Sequence, residues 1–350
     1  MKTLFYVTLV IAVVSCQKPS LTSDLPSHYV NGIMILNEGL FQQNNASLAF
    51  YDLTDRQMHH AVFSTVNGRG LGDTANDMIS FTFDGKFYYA IAVNVSSQIE
   101  ILDGLSLKSI GQIGLFKDGI GRQPRSLQYA NGKLYSINFD GSISVIDINT
   151  LSEIMNIPIG QNSESSIIYQ NHLFAVNTGG LNFPNYDSTI SVIDIETNSI
   201  ITEFTAGLNG GQIIVDGDGE GYMIARGNYS NVQSQLVRID LKNYKVIETY
   251  YLNISTMTYH NGIIYYYDDE RNAILTFNTA TESIDNTPLL NCETFKNVYK
   301  IIICEQPQLM YIIDANGYVN SSIIRIYNLN GDFQTEMIAG LNANTILLTP

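Results

Sequence analysis

The chain has 350 residues, of which 45% are hydrophobic and only 15% charged. Eighteen basic residues against 33 acidic ones give a formal charge of −15, which repels phosphate backbones and argues against nucleic-acid binding. The 22 tyrosines and 15 phenylalanines suit folded strands and not disorder, and no long stretch shows the 3.6-residue apolar period of a helix-rich protein.

The first residues, MKTLFYVTLVIAVVS, carry one lysine and an apolar run from Leu4 to Val14 that ends at a small residue before Cys16. The run is too short to span a bilayer and fits the core of a secretory signal over residues 1–15. Val13-Val14-Ser15-Cys16 resembles a bacterial lipobox, which predicts a lipidated Cys16. Acyl chains there would anchor an otherwise soluble domain to the outer membrane. Residues 16–28 then read as the lipidated cysteine and a flexible tether, leaving 29–350 as the folded domain.

A short strand ending in Asp or Asn recurs along that domain. It appears as LAFYD to Asp52, IEILD to Asp103, ISVID to Asp147 and again to Asp194, LVRID to Asp240, ILTFN to Asn278 and IRIYN to Asn328. The seven copies lie 38 to 51 residues apart, with a mean of 46. That period suits propeller blades of four strands, a to d from the hub outward, with the Asp strand as c. Turn signals such as Asp84-Gly85, Asn131-Gly132 and Asn261-Gly262 precede aromatic-rich b strands. The first blade opens at strand b, Gly32–Gly39, whereas the last segment, Asn342–Leu348, has the pattern of a lone strand a. The expected fold is therefore an all-β, seven-bladed propeller closed by its C-terminal strand, which removes the open edge.

No catalytic signature, cofactor motif or metal set stands out. His59 and His60 would point to opposite faces of a strand and cannot easily share an ion. Asp216–Gly221, DGDGEG, resembles a calcium loop but falls where an a–b hairpin turn is expected, and the turn is favoured. The Asp closing each c strand should accept hydrogen bonds from the next turn. The Asn-x-Ser triplets at Asn45, Asn94, Asn228, Asn253 and Asn320 read as Asn-rich loops. The spacing of Cys292 and Cys304 leaves a bridge or two thiols open, and the thiols are favoured.

The b–c and d–a loops, which share one face of a propeller, are long and polar-aromatic. Length and aromatic content on one face suggest a binding surface. Phe41, Phe139, Phe183, Tyr186 and Tyr229 could cover a planar or sugar-like ligand. Asn37, Glu38, Arg69, Asn94, Arg125, Asn138, Asn177, Arg226 and Arg271 could direct hydrogen bonds to it.

Gly32–Asp52 (GIMILNEGLFQQNNASLAFYD), Asn67–Met78 (NGRGLGDTANDM) and the SVIDI…T repeats at Ser144–Thr150 and Ser191–Thr197 resemble YncE-like seven-bladed propeller lipoproteins of Bacteroidetes. The BtuG-type members of that group bind cobalamin at the cell surface. The resemblance implies a non-catalytic protein on the outer membrane that captures cobalamin or a related corrinoid and passes it to a TonB-dependent transporter. The residues after Cys16, QKPSLTSD, lack the acidic run that often accompanies surface export in these bacteria, and no Trp is available for stacking. The main rival is a protein-interaction platform of an envelope or transporter complex, with another cargo or none. An enzyme would need a cluster of His, Arg, Tyr or carboxylate groups at the channel, which the sequence by itself does not assemble.

Overall fold

The computed structural model describes Pro26 and residues 28–350. The expected signal peptide, Cys16 and most of the expected tether lie outside the described residues. Seven four-stranded antiparallel sheets follow one another around a central channel. Their innermost strands are Ala343–Leu348, Ala75–Phe83, Pro124–Ala130, Ser165–Tyr169, Gly210–Val215, Ile254–His260 and Val298–Cys304, for blades 1 to 7.

All seven Asp or Asn strands take the c position expected of them. Each closes with its side chain capping the next turn. Asp52 accepts from Thr54 N–H at 2.7 Å, Asp147 from Asn149 at 2.7 Å, and Asp194 from Glu196 at 2.9 Å. Asp103, Asp240, Asn278 and Asn328 do the same. A short acceptor two residues before an unpaired turn N–H fixes that turn locally, which is why the signature recurs with the blade.

Alternation along the strands delivers apolar side chains to both sheet faces, so the core is a set of clusters between neighbouring blades. The ring closes where Ala343–Leu348 pairs with Gly32–Asn37, from Ile33 opposite Leu348 to Asn37 opposite Ala343. Asn31 N–H donates to Pro350 O at 2.8 Å and completes the seam.

Two local features add to the sequence expectation, and a third matches it. One short helix, Val62–Asn67, lies in the first d–a connection and buries Phe63. The next d–a loop is a small hairpin of Phe116–Lys117 and Ile120–Gly121. Asp216–Gly221 forms the a–b turn of blade 5, where Asp216 Oδ1 accepts from Asp218 and Glu220 N–H. Cys292 and Cys304 are free buried thiols in different clusters, and burial pushes the Cys292 thiol up to about 12. Among the described residues, no helix is long and apolar enough to cross a membrane.

Removing residues 342–350 exposes the blade 1 edge and withdraws Ile346, Leu347 and Leu348 from the seam. At about 1.5–3 kcal/mol per buried aliphatic side chain, the truncated chain should lose roughly 5 kcal/mol. Chemical denaturation of both forms checks this, and equal midpoints would refute closure by the tail.

Candidate functional site

Strands b run toward the loop-rich face and strands a start from it, so the first residues of the a strands surround the channel mouth. There the a strands break the rule of alternation. The register with strand b shifts by a residue around Asn76, Arg125, Ser255, Tyr299 and Asn344, and over Gly211-Gln212. A bulge inserts an extra residue and re-aims its neighbours, so consecutive side chains can face the same side. Asn76 with Asp77, Arg125 with Ser126, Ser255 with Thr256 and Tyr299 with Lys300 all line one cavity of about 540 Å³. Glu164, Arg226, Glu38 and Asp269 complete its charged lining.

These groups form a connected electrostatic cluster. Glu164 takes both arms of Arg125, from Nε at 2.9 Å and Nη2 at 3.2 Å, and lies 3.7 Å from Arg226. Burial pushes the Glu164 carboxyl up, but the Arg125 and Arg226 charges outweigh it and hold it below the ordinary range. Glu38 Oε1 accepts from Tyr299 Oη at 2.9 Å and from Asn344 Nδ2 at 2.8 Å. Asp77 accepts backbone N–H bonds from Leu127 and Met78, yet burial raises its pKa. Burial likewise lowers the Lys300 ammonium, against the pull of Glu38 and Asp77. A Cβ at Gly211 would sit 3.1 Å from the Arg226 guanidinium, so a larger residue would shift that group by a few tenths of an ångström.

A second, shallower cavity of about 640 Å³ adjoins the first and shares Arg226, Ser255 and Asp269 with it. Tyr229, Val232 and Gln233 from the blade 5 b–c loop form its outer wall. Beside it, Phe183, Tyr186 and Tyr229 make a chain of edge contacts, with centroids 6.1 and 6.2 Å apart. Phe183 and Tyr229 are 72% and 73% exposed, so their faces are open to a partner.

The sequence-predicted residues thus divide. Glu38, Arg125 and Arg226 line the channel cavity, Tyr229 lines the second, Phe183 and Tyr186 flank it, and Phe139 lies under the Arg125 guanidinium at 5.2 Å. The asparagines proposed as ligand contacts are corrected. Asn37, Asn138 and Asn177 pair with the first residue of strand c and are buried between sheets. Asn138 Nδ2 donates to Ser142 and Ser144, Asn177 Nδ2 to Thr189 and Ser191, and Asn37 Oδ1 accepts from Gly340 N–H. Asn94 is buried too and donates to the carbonyls of Gln123 and Pro124.

Two of the predicted arginines, Arg69 and Arg271, line neither cavity. Arg69 pairs with buried Glu100 at 2.7 Å and lies over Phe63. Arg271 pairs with Asp268 at 3.9 Å and bonds Asn286. Phe41 is exposed but lines neither cavity. Sequence reasoning missed Asp77, Glu164, Tyr299 and Lys300, the charged cluster that it could not assemble.

Residues 31–329 match the profile of a domain of unknown function, DUF5074. The chain belongs to the DUF5074 family. No functionally curated protein matches it in sequence. Among solved structures, the DUF5074 chain is similar to a quinonprotein alcohol dehydrogenase-like protein of Bacteroides thetaiotaomicron. The TM-score is 0.67 at 16% identity, over 92% of this chain and 79% of that one. It is also similar to hydrazine synthase of Kuenenia stuttgartiensis, with a TM-score of 0.58 at 16% identity, over 74% of this chain and 85% of that one. The Pan2 WD40 domain of Neurospora crassa gives 0.56 at 9% identity, over 78% and 81%. At these identities the likeness is one of fold.

Because Glu164 holds two arginines at the hub, Glu164→Gln should cost about 1.5 kcal/mol, the value of charge-assisted hydrogen bonds in a partly buried pair. The depressed Glu164 pKa also fixes a sign. Its stabilisation is complete above the unfolded value of about 4.3 and is lost as pH falls through the lower folded value. Denaturant midpoints measured from pH 7 down to 3 should fall less steeply in the variant, and parallel curves would exclude this role.

Proposed function

We propose that this DUF5074 propeller is a ligand-capture protein that holds its guest on the loop-rich face without bond-making chemistry. The observation that carries this reading is the pair of adjoining cavities at the channel mouth, flanked by the open rings of Phe183, Tyr186 and Tyr229. Their volumes fall in the roughly 300–1,000 Å³ range typical of small-molecule sites, with apolar rings to one side and a few directed polar groups below. Such a mouth suits a large, flat, amide-bearing guest. Cobalamin or a related corrinoid is the cargo drawn from the sequence resemblance. Exposed rings would cover the macrocycle, while Arg226, Ser230 and Gln233 would meet its polar periphery.

Delivery to a TonB-dependent transporter, and anchoring in the outer membrane through Cys16, belong to the same proposal. The chain enters the propeller on the face opposite the loops, where strand b of blade 1 begins at Gly32 and Tyr29 N–H donates to Leu105 O in a c–d turn.

One observation favours a second reading, an interaction platform for an envelope or transporter protein. Phe41, Ile120, Leu181, Phe183 and Val319, all on loops of the same face, are each at least 67% exposed. Large apolar side chains gathered on one face mark protein contacts more often than chance exposure does.

Calorimetry with cyanocobalamin separates the two. Capture predicts saturable binding with a shifted corrin spectrum. Tyr229→Ala should then weaken binding about threefold to tenfold, the value of one aromatic contact. No heat and no spectral change at micromolar ligand would remove the cargo, and co-purification with a membrane protein alone would favour the platform.

A further inference from the structure

The channel cavity holds polar groups that the protein itself leaves unused. Two of its three cations are engaged with Glu164: Arg125 in a bidentate pair and Arg226 at 3.7 Å. The ammonium of Lys300, by contrast, makes no ion pair and no hydrogen bond with any described residue, although it lines the same cavity. Thr256 is only 3% exposed, and its hydroxyl has no partner. The side-chain oxygen of Asn76 is likewise buried without one. A buried hydroxyl and amide oxygen without partners are costly in an empty protein and favourable once a guest supplies the missing atoms, and the half-buried Lys300 ammonium beside them is open to the same guest.

The surroundings define that guest. Lys300 calls for an anion. Glu38, Asp77, Glu164 and Asp269 border the same space, and four carboxylates oppose a doubly charged group such as phosphate. They are also acceptors, as is Asn76 Oδ1, so they suit a molecule that donates through several hydroxyls. Tyr299 and Tyr318, perpendicular with centroids 6.0 Å apart, add ring surface for the C–H face of a sugar.

We infer that the channel cavity is a binding site for a small hydroxylated monocarboxylate, a sugar acid, with its carboxylate on Lys300 and its hydroxyls on Asn76, Thr256 and the neighbouring carboxylates. The site lies below the aromatic rim and shares Arg226, Ser255 and Asp269 with the cavity beside it, so it deepens the capture reading.

Calorimetry of the mature chain with D-glucuronate and D-galacturonate, against D-glucose as the uncharged control and inorganic phosphate as the dianion, tests the site. At least one uronate should bind, with glucose and phosphate weaker by about tenfold or more, the value of a charge-assisted hydrogen bond. Lys300→Met should abolish that preference over glucose, and Thr256→Val should weaken uronate binding while leaving the preference in place. Circular dichroism melting of both variants shows that they are folded, and either variant alone suffices if the other is not. Absence of binding by both uronates at millimolar concentration would overturn the assignment. So would equal binding of glucose, or a folded Lys300→Met that retains full affinity. Cyanocobalamin binding by the same samples reports on the rim separately, so a failure at one site is not mistaken for a failure at the other.

Discussion

The structure depends on one antiparallel pairing between the two ends of the chain. Six blades draw all four strands from one continuous stretch, but blade 1 takes its innermost strand from residues 343–348. Until that strand arrives, blade 1 presents an open edge to the hub and lacks the face on which its neighbours pack. Asn344 shows how closely closure and site are linked. It is part of the closing strand, and its amide reaches Glu38 in the channel lining and the backbone of Ala75 and Asn76 in blade 2. The contact that completes the ring therefore also positions acidic and amide groups at the channel mouth.

The channel chemistry arises from a local departure from strand geometry. A regular strand alternates its side chains between faces, so a charged residue beside a polar one would put only one of them in the channel. The bulges near the start of the a strands cancel that alternation for a residue or two. Tyr299 and Lys300 line the cavity together, as do Asn76 and Asp77. The resulting lining is rich in charge, which is tolerated because Arg125 and Glu164 neutralise each other and Asp77 rests on two backbone N–H donors. The aromatic rim is built differently. It sits on the long b–c loops of blades 4 and 5, whose own side chains and backbone bonds fold them, as in the bonds of Val232 and Ser230 to Asn228. Hub and rim are thus two chemically distinct surfaces on one face, charged within and apolar around.

Much of the architecture was legible in the residues. The seven terminal Asp or Asn side chains mark the c strands because each has a local task, capping the turn directly after it, that needs no distant partner. The orphan pattern of residues 342–348 foretold closure for a similar reason: its alternation matched the missing strand. The asparagines misled because two neighbouring positions look alike in one dimension. Asn37, at the end of its strand, turns between the sheets, whereas Glu38 beside it turns into the channel. A one-residue offset in register exchanges the two environments.

The number of blades, the identity of each c strand and the strand that seals the ring were determined by the sequence alone, since local periodicity and turn chemistry repeat along the chain and can be counted. Which side chains meet was decided only by the tertiary structure. Glu38, Asp77, Arg125, Glu164, Arg226 and Lys300 come from six different blades, and nothing in their spacing relates them. They converge because the closed wheel brings the starts of its inner strands and the ends of its b strands to one mouth, and because bulges there turn inward side chains, such as Arg125 and those beside Asp77 and Lys300, that regular pleating would have directed into the sheets.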